Sequence, residues 1–451
     1  MEYFIQWPFG SKGHYHFPSG ISAVLIDFLA RNKTIKKENF VLVQDSWNVQ
    51  SKYTDYEAIS NLTGLKKDEI SSNYKNILNK SLPEIINIGK SIADKNIEKS
   101  KRLKDRLGLL RGGIYSKGKF EKDISFRDDS SESWKIAQER FLQLYKDKLI
   151  YWNEDFENPE FYLNIKKMMS HVPLDKLVDS IDLPNFAYKQ FKNAYKVYLK
   201  DMPLSTIGAY ATPVPLKISK KGIEVPEIED LPIEPRYRGK EIIGPSVVLK
   251  PLFNCYFISD IILNKVQISP STITFCNDQS LITRFNFPQT ILTAYFNRNY
   301  FQKNLFNDLL TDKNGKRFSF KENVLLSLEE ITEESSSLGR FLIARNSHFV
   351  GNKVQFEDNK TAYKKLEIAV DQIRTKKFSQ DDKRLIFSKM FKKDITDFDN
   401  LYETLVESAD IGRVLNFLTD YVIQASKING EILPYSVKRS IDLLETILPP
   451  I

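Results

Sequence analysis

A chain of 451 residues is longer than one hydrophobic core usually serves, so two or three domains are expected. Hydrophobic residues at 41% and charged residues at 27% exclude a fibrous or disordered chain, and 30 Phe and 21 Tyr supply large side chains for globular cores. The formal net charge of +8 is a mild surplus. It suits a polyanionic partner such as RNA and arises equally in Lys-rich proteins that have none.

Only Cys255 and Cys276 occur, far apart, which argues against a disulfide framework and a thiolate zinc site and for a reducing cytoplasm. No apolar run reaches the roughly 18 residues of a membrane span, so no membrane partner is expected. The chain moves straight into a strand, with no room for a signal peptide.

Residues 3–7 read as that strand, closed by Pro8 and followed by a loop punctuated by Gly10, Gly13 and Gly20. Residues 21–31 have helical apolar spacing, and residues 41–43 read as a second, buried strand. Strand, helix, strand at this spacing predicts a parallel α/β sheet. Residues 60–111 read as helical and end in a basic run, residues 99–111, for which a solvated face is preferred over an RNA site. Residues 134–151 are amphipathic, with Ile136, Phe141, Leu144 and Tyr145 near one face.

The stretch 202–252 contains Pro213, Pro215, Pro226, Pro232, Pro235 and Pro245, which predicts loops and short edge strands. Apolar runs at 255–263 and 273–275 read as a return to the sheet. From about residue 335 the pattern is helical. Leu401, Leu405, Ser408, Gly412, Leu415, Leu418 and Val422 form one stripe, and residues 437–448 begin another helix, so a helical bundle is expected.

The loop after the first strand is the first candidate for chemistry. Glycines there let backbone amides approach a phosphate, and the helix start behind them favours negative charge. His14 and His16 would add imidazole donors for charge developing on phosphorus. There is no Walker pattern and no G-x-G-x-x-G, and a Gly/Pro turn with two incidental histidines is the competing reading.

Residues 8–31 resemble the opening of class I aminoacyl-tRNA synthetases, in the branch that handles leucine, valine, isoleucine and methionine. Aligning Asp27-Phe28-Leu29-Ala30-Arg31 with the family's post-tetrad helix puts its H-x-G-H tetrad on His16-Phe17-Pro18-Ser19. The first histidine is kept, while Pro18 replaces the glycine and Ser19 the second histidine. Residues 41–48 look like the family's next strand and Gly-Trp-Asp turn, with Asn48 where an acid is usual. Residues 124–151 are similar to a structural signature of the same branch, an acidic-aromatic-Arg stretch leading into a helix. Residues 315–324 resemble the KMSKS loop, with the pentad on Lys316-Arg317-Phe318-Ser319-Phe320 and the frame held by Lys321, Asn323 and Val324.

The resemblance implies an α/β protein: a Rossmann-like parallel-sheet catalytic domain with an inserted subdomain and a C-terminal α-helical bundle. Its first half would occupy residues 1–125, a connective segment 126–252, the second half with the lysine loop 253–330, and a bundle like an anticodon-binding domain 331–451. The implied activity is ATP-dependent amino-acid activation with transfer to tRNA or to a small-molecule or carrier acceptor. His14, His16, Ser19, Lys316, Arg317 and Lys321 would act on the phosphates. Phe9, Gly10, Trp47 and Asn48 would border the amino acid, and Gly13, Gly20, Asp278 and Asn323 the nucleotide. Asp278 is the candidate for the ribose, against an ordinary Asx-turn. ATP, with Mg2+ as its counter-ion, and no zinc complete the expectation. The alternative is an inactive paralogue that binds tRNA or a protein.

Overall fold

The computed structural model describes residues 1–6, 9–10, 17–153, 160–173, 177, 180–197, 201–219, 222–233, 247–296, 300–318, 327–347, 353–375, 398–407, 410–427 and 435–448. Gly13, His14, His16, Lys321 and Asn323 lie outside these residues, and Phe9, Gly10 and Ser19 are described by their backbone alone.

Strand β1 (Glu2–Gln6) leads through β2 (Phe9–Gly10) into helix α1 (Phe17–Ile35), and the chain returns as β3 (Phe40–Val43), continued by β4 (Asp45–Asn48). Ser51 caps α2 (Lys52–Thr63), which ends at Gly64 with a left-handed φ of 72°. The 40-residue α3 (Lys67–Arg106) departs from helical backbone at Ser81, two residues before Pro83. The hairpin β5 (Gly113–Ser116) and β6 (Lys119–Asp123) turns on Lys117 and Gly118, both at positive φ as a two-residue loop requires. After β7 (Ser125–Arg127), helix α4 (Ser131–Lys146) is shorter than residues 134–151 suggested. Lys148 takes a left-handed φ of 58°, and Ile150–Trp152 forms a strand.

Residues 202–203, 205–207, 217–219 and 222–224 form short strands. The apolar run at 255–263 does not enter the sheet: Pro251 opens a helical turn and α5 (Ile258–Val266) follows. An unbroken apolar run suits a buried helix as well as a buried strand, so its pattern could not separate the two. With β8 (Ile181–Asp182), β9 (Thr272–Asp278), α6 (Phe287–Tyr295) and β10 (Phe301–Asn307), the sheet is complete. Its order is β8-β10-β9-β1-β3-β5-β6, parallel from β8 to β3 and antiparallel in the closing hairpin.

Period-two alternation divides the core. Tyr3, Ile5, Val41, Val43, Ile273 and Phe275 face α4, α5 and α6, while Phe4, Phe40, Leu42 and Cys276 face α1. Such a sheet, apolar on both faces, needs helices on both.

The C-terminal part comprises α7 (Leu328–Glu334), α8 (Ser336–Arg345), α9 (Lys360–Thr375), α10 (Phe398–Glu407), α11 (Ile411–Ser426) and α12 (Tyr435–Ile447). The stripe read from Leu401 to Val422 is two helices, with Asp410 capping α11 through Arg413 N at 3.0 Å. These helices share one apolar core with α1. Fully buried Arg340 of α8 ties the seam. It donates to Ile447 O (2.6 Å), Leu107 O (3.0 Å) and Asp27 Oδ2 (2.6 Å). Asp27 also receives Arg31 Nε at 2.7 Å and Leu110 N at 2.5 Å. Burial works against its charge, but the two arginines and these hydrogen bonds hold its pKa below the usual value. No described helix is long and apolar enough to cross a membrane.

Candidate active site

Open α/β sheets bind ligands beyond the carboxyl ends of their strands. Here that edge carries the ends of β1, β9 and β10, the small parallel sheet β2-β4-β7, and the N-terminus of α1. No acidic residue lies in the first turn of α1, so nothing there offsets the positive end of its dipole. Ser19 is in that turn. Gly20 is buried, and a Cβ there would lie 2.7 Å from Leu328 Cδ2 and 3.3 Å from Ile343 Cδ1. Close packing of α7 and α8 on the start of α1 therefore accounts for this glycine without a nucleotide. Ser22 Oγ donates to Asn307 Oδ1 at 3.2 Å, fixing α1 to the end of β10.

The lysine loop begins as a tight turn. Lys316 N donates to Asp312 Oδ1 (2.8 Å) and Gly315 N to Asp312 O (3.0 Å), with Gly315 at a φ of 76° that its missing Cβ permits. Lys316 is exposed. Arg317 turns inward, and its Nη2 donates to Ser280 Oγ at 2.8 Å and lies 3.4 Å from Asp278 Oδ1. Asp278 Oδ1 also accepts from Ser280 N at 2.7 Å, the Asx-type turn weighed from sequence. The ring of Phe356 sits edge-on to both Phe17 (5.2 Å) and Phe318 (6.1 Å). One aromatic ring thus bridges the start of α1 and the lysine loop, and Asp278 meets Arg317 beside them.

On β2 and β4, Phe9 lies opposite Trp47 and Gly10 opposite Asn48. Trp47 and Asn48 point to opposite sides of their strand. The Trp47 ring lies beneath Lys104 (5.1 Å) and Lys101 (5.9 Å). Lys104 is buried and donates to Gln44 O; desolvation lowers its pKa to about 8 despite Asp45 at 3.5 Å. The basic run at 99–111 is therefore not wholly a solvated face.

Asn48, with its amide nitrogen turned toward Asp128, donates to Asp128 Oδ2 at 2.9 Å and to Gln50 O at 3.2 Å. Asp128 is fully buried and accepts from Val49 N (2.9 Å) and Gln50 N (3.2 Å). Burial, and then the neighbouring Asp129, raise its pKa well above the usual carboxylate value. Asn254 extends the network, donating to Asp128 O (2.8 Å) and Thr212 Oγ1 (2.6 Å). The sequence reading treated the stretch around Asp128 as scaffold alone. The available signal is the doubled acid Asp128-Asp129. Among the described residues no group of three or more His, Cys, Asp or Glu side chains is placed to hold a metal ion.

No family model matches the sequence, and no curated protein matches it at significance. Solved structures do match. Mycobacterium tuberculosis methionyl-tRNA synthetase bound by methionyl-adenylate aligns with a TM-score of 0.63 and 9% identity, covering 100% of this chain and 92% of that one. A second structure of that enzyme with methionyl-adenylate has the same score and coverage at 11% identity. The Agrobacterium radiobacter leucyl-tRNA synthetase, in a ternary complex with tRNA and LeuAMS, scores 0.63 at 10% identity over 99% of this chain and 83% of that one. At such identities the likeness speaks for architecture, and it does so along the whole chain: this protein has the α/β, Rossmann-like fold of the class I aminoacyl-tRNA synthetases.

Proposed function

We propose that the protein activates an amino acid with ATP and passes the aminoacyl group to tRNA or to a small-molecule or carrier acceptor. In this reading an amino-acid carboxylate oxygen attacks the α-phosphorus, and the bond to the pyrophosphate oxygen breaks as the aminoacyl-adenylate forms. One observation carries the reading: Arg317 reaches Asp278 and Ser280 at the carboxyl edge of the sheet, beside the start of α1. The positive end of α1 would hold phosphate, with His14, His16 and Ser19 donating from the same segment. Lys316, Arg317 and Lys321 would offset charge growing on pyrophosphate. Gly13, Asp278 and Asn323 would flank the nucleotide, and Phe9, Gly10 and Asn48 the amino acid. Mg2+ would enter as the counter-ion of ATP, and the cytoplasm is the compartment that suits the chemistry. The similar structures that carry methionyl-adenylate and tRNA support this reading.

A binding module on the same scaffold is the second reading, favoured by the substitutions in both signature loops, Pro18 and Ser19 in the first and Ser319 in the second. The test is ATP–pyrophosphate exchange with the twenty amino acids pooled, beside a Lys316→Ala, Lys321→Ala double variant. Activation predicts exchange that falls on the order of 10²–10³-fold or more in the variant. Background exchange, with or without tRNA, together with saturable tRNA binding would select the second reading.

A further inference from the structure

The face of the sheet opposite α1 carries buried polar groups that have no partner among the described residues. Along residues 286–293, Asn286, Gln289, Thr290 and Thr293 fall at helical spacing on one side and are 0–8% exposed. Across from them β10 presents Gln302 and Asn304, and β9 presents Asn277, on the same side of the sheet as Ile273 and Phe275. Some of these groups meet. Asn286 Nδ2 donates to Asn304 Oδ1 at 2.7 Å, and Gln302 Nε2 to the same oxygen at 3.0 Å. Among the described residues, both side-chain polar atoms of Asn277 and of Gln289 have no partner, nor do Asn286 Oδ1, Asn304 Nδ2 and Thr293 Oγ1.

Buried amides are ordinarily satisfied, so a concentration of open ones asks for an occupant. The stripe starts at the functional edge, since Asn277 directly precedes Asp278, where Arg317 arrives. From there it runs inward among Tyr256, Phe285 and Phe287. We propose that it recognises the side chain of the activated amino acid, and that this side chain is uncharged and hydrogen-bonding, a carboxamide or a hydroxyl.

The inference rests on the amino-acid-activation reading. A carboxyl group at the edge would send its side chain into the stripe. A carboxamide carries one acceptor and two donors, which complement the free amides of Asn277 and Gln289. A charged side chain would be buried there with no counter-charge in the stripe, whose seven residues are all neutral. An apolar one would leave the amides unpaired.

Exchange measured with each amino acid separately, beside Gln289→Leu, is the test. Asparagine, glutamine, serine or threonine is expected to exceed leucine, methionine, valine and isoleucine in kcat/KM by on the order of 10⁴-fold. The Gln289 side chain makes no hydrogen bond to a described residue, so Gln289→Leu should keep or raise the Tm. Its kcat/KM for the polar substrate should fall about ten- to a hundred-fold, chiefly through KM. Exchange with apolar acids alone would overturn the inference and leave activation standing, whereas exchange with none would remove the activation reading and this inference with it. A Gln289→Leu protein with unchanged kinetics would overturn the inference by showing the stripe to be core alone.

Discussion

Two buried polar clusters, one on each face of the central sheet, differ in how far their groups are satisfied. On the α1 face, Asp27 takes donors from Arg31, Arg340 and Leu110 N, and Arg340 also reaches Ile447 O and Leu107 O. On the other face, the amides of Asn277 and Gln289 sit in an equally buried setting with no partner among the described residues. A closed network fixes how helices seat, because each member already has its partner. An open one adds nothing to the folded chain until a partner arrives.

The largest effect expected from breaking this contrast is at Arg340. Arg340→Met takes one of its two arginines from the buried Asp27 carboxylate and strands two carbonyls, and should cost about 3–5 kcal/mol in urea unfolding. A loss below about 1 kcal/mol would mean that the seam is not a closed network. Next is Gly20→Ala, whose Cβ would press on Leu328. It should cost about 1–3 kcal/mol, part of it recovered in the Leu328→Ala background. Strict additivity in that double-mutant cycle would deny the contact between α1 and α7.

Two buried aspartates sharpen the comparison by pH. Asp27 has a folded pKa below its unfolded one, so its stabilisation is present above the ordinary carboxylate range and is lost as pH falls through the folded value. Asp128 has a raised folded pKa, so its stabilisation is present at acid pH and is lost as pH rises toward that value. Thermal unfolding from pH 3 to pH 7 should therefore show opposite changes of slope in Asp27→Asn and Asp128→Asn. Equal changes would contradict the assignment. Lys104 extends the comparison to alkaline pH. Its folded pKa of about 8 lies below the ordinary 10.5, so the wild type should gain stability from about pH 8 to 10.5 relative to Lys104→Met.

Sequence patterns carried far where burial was one-sided or complete. The opening strand, α1 and β3 follow from apolar spacing and from the glycines between them. The resemblance assigned Arg317 and Asp278 to one nucleotide site, and their side chains meet. Patterns failed where local chemistry was ambiguous. The run at 255–263 is as apolar as a buried strand and is helical, and the stripe through Gly412 continues across a break between α10 and α11. The amide stripe was hidden because Asn and Gln are usually exposed, so residue type argued against burial. The spacing of Asn286, Gln289, Thr290 and Thr293, opposite the alternating Gln302 and Asn304, was the available signal. It acquires meaning only once α6 is seen packed on β10.

The most direct test of amino-acid activation is to look for its product. The protein would be incubated with ATP, the twenty amino acids and an inorganic pyrophosphatase, and the mixture analysed by mass spectrometry for an aminoacyl-adenylate. The account predicts one dominant adenylate whose amino acid bears a carboxamide or hydroxyl side chain. Intact ATP and no adenylate, from a folded protein that still binds tRNA, would contradict activation and leave a synthetase fold used for binding.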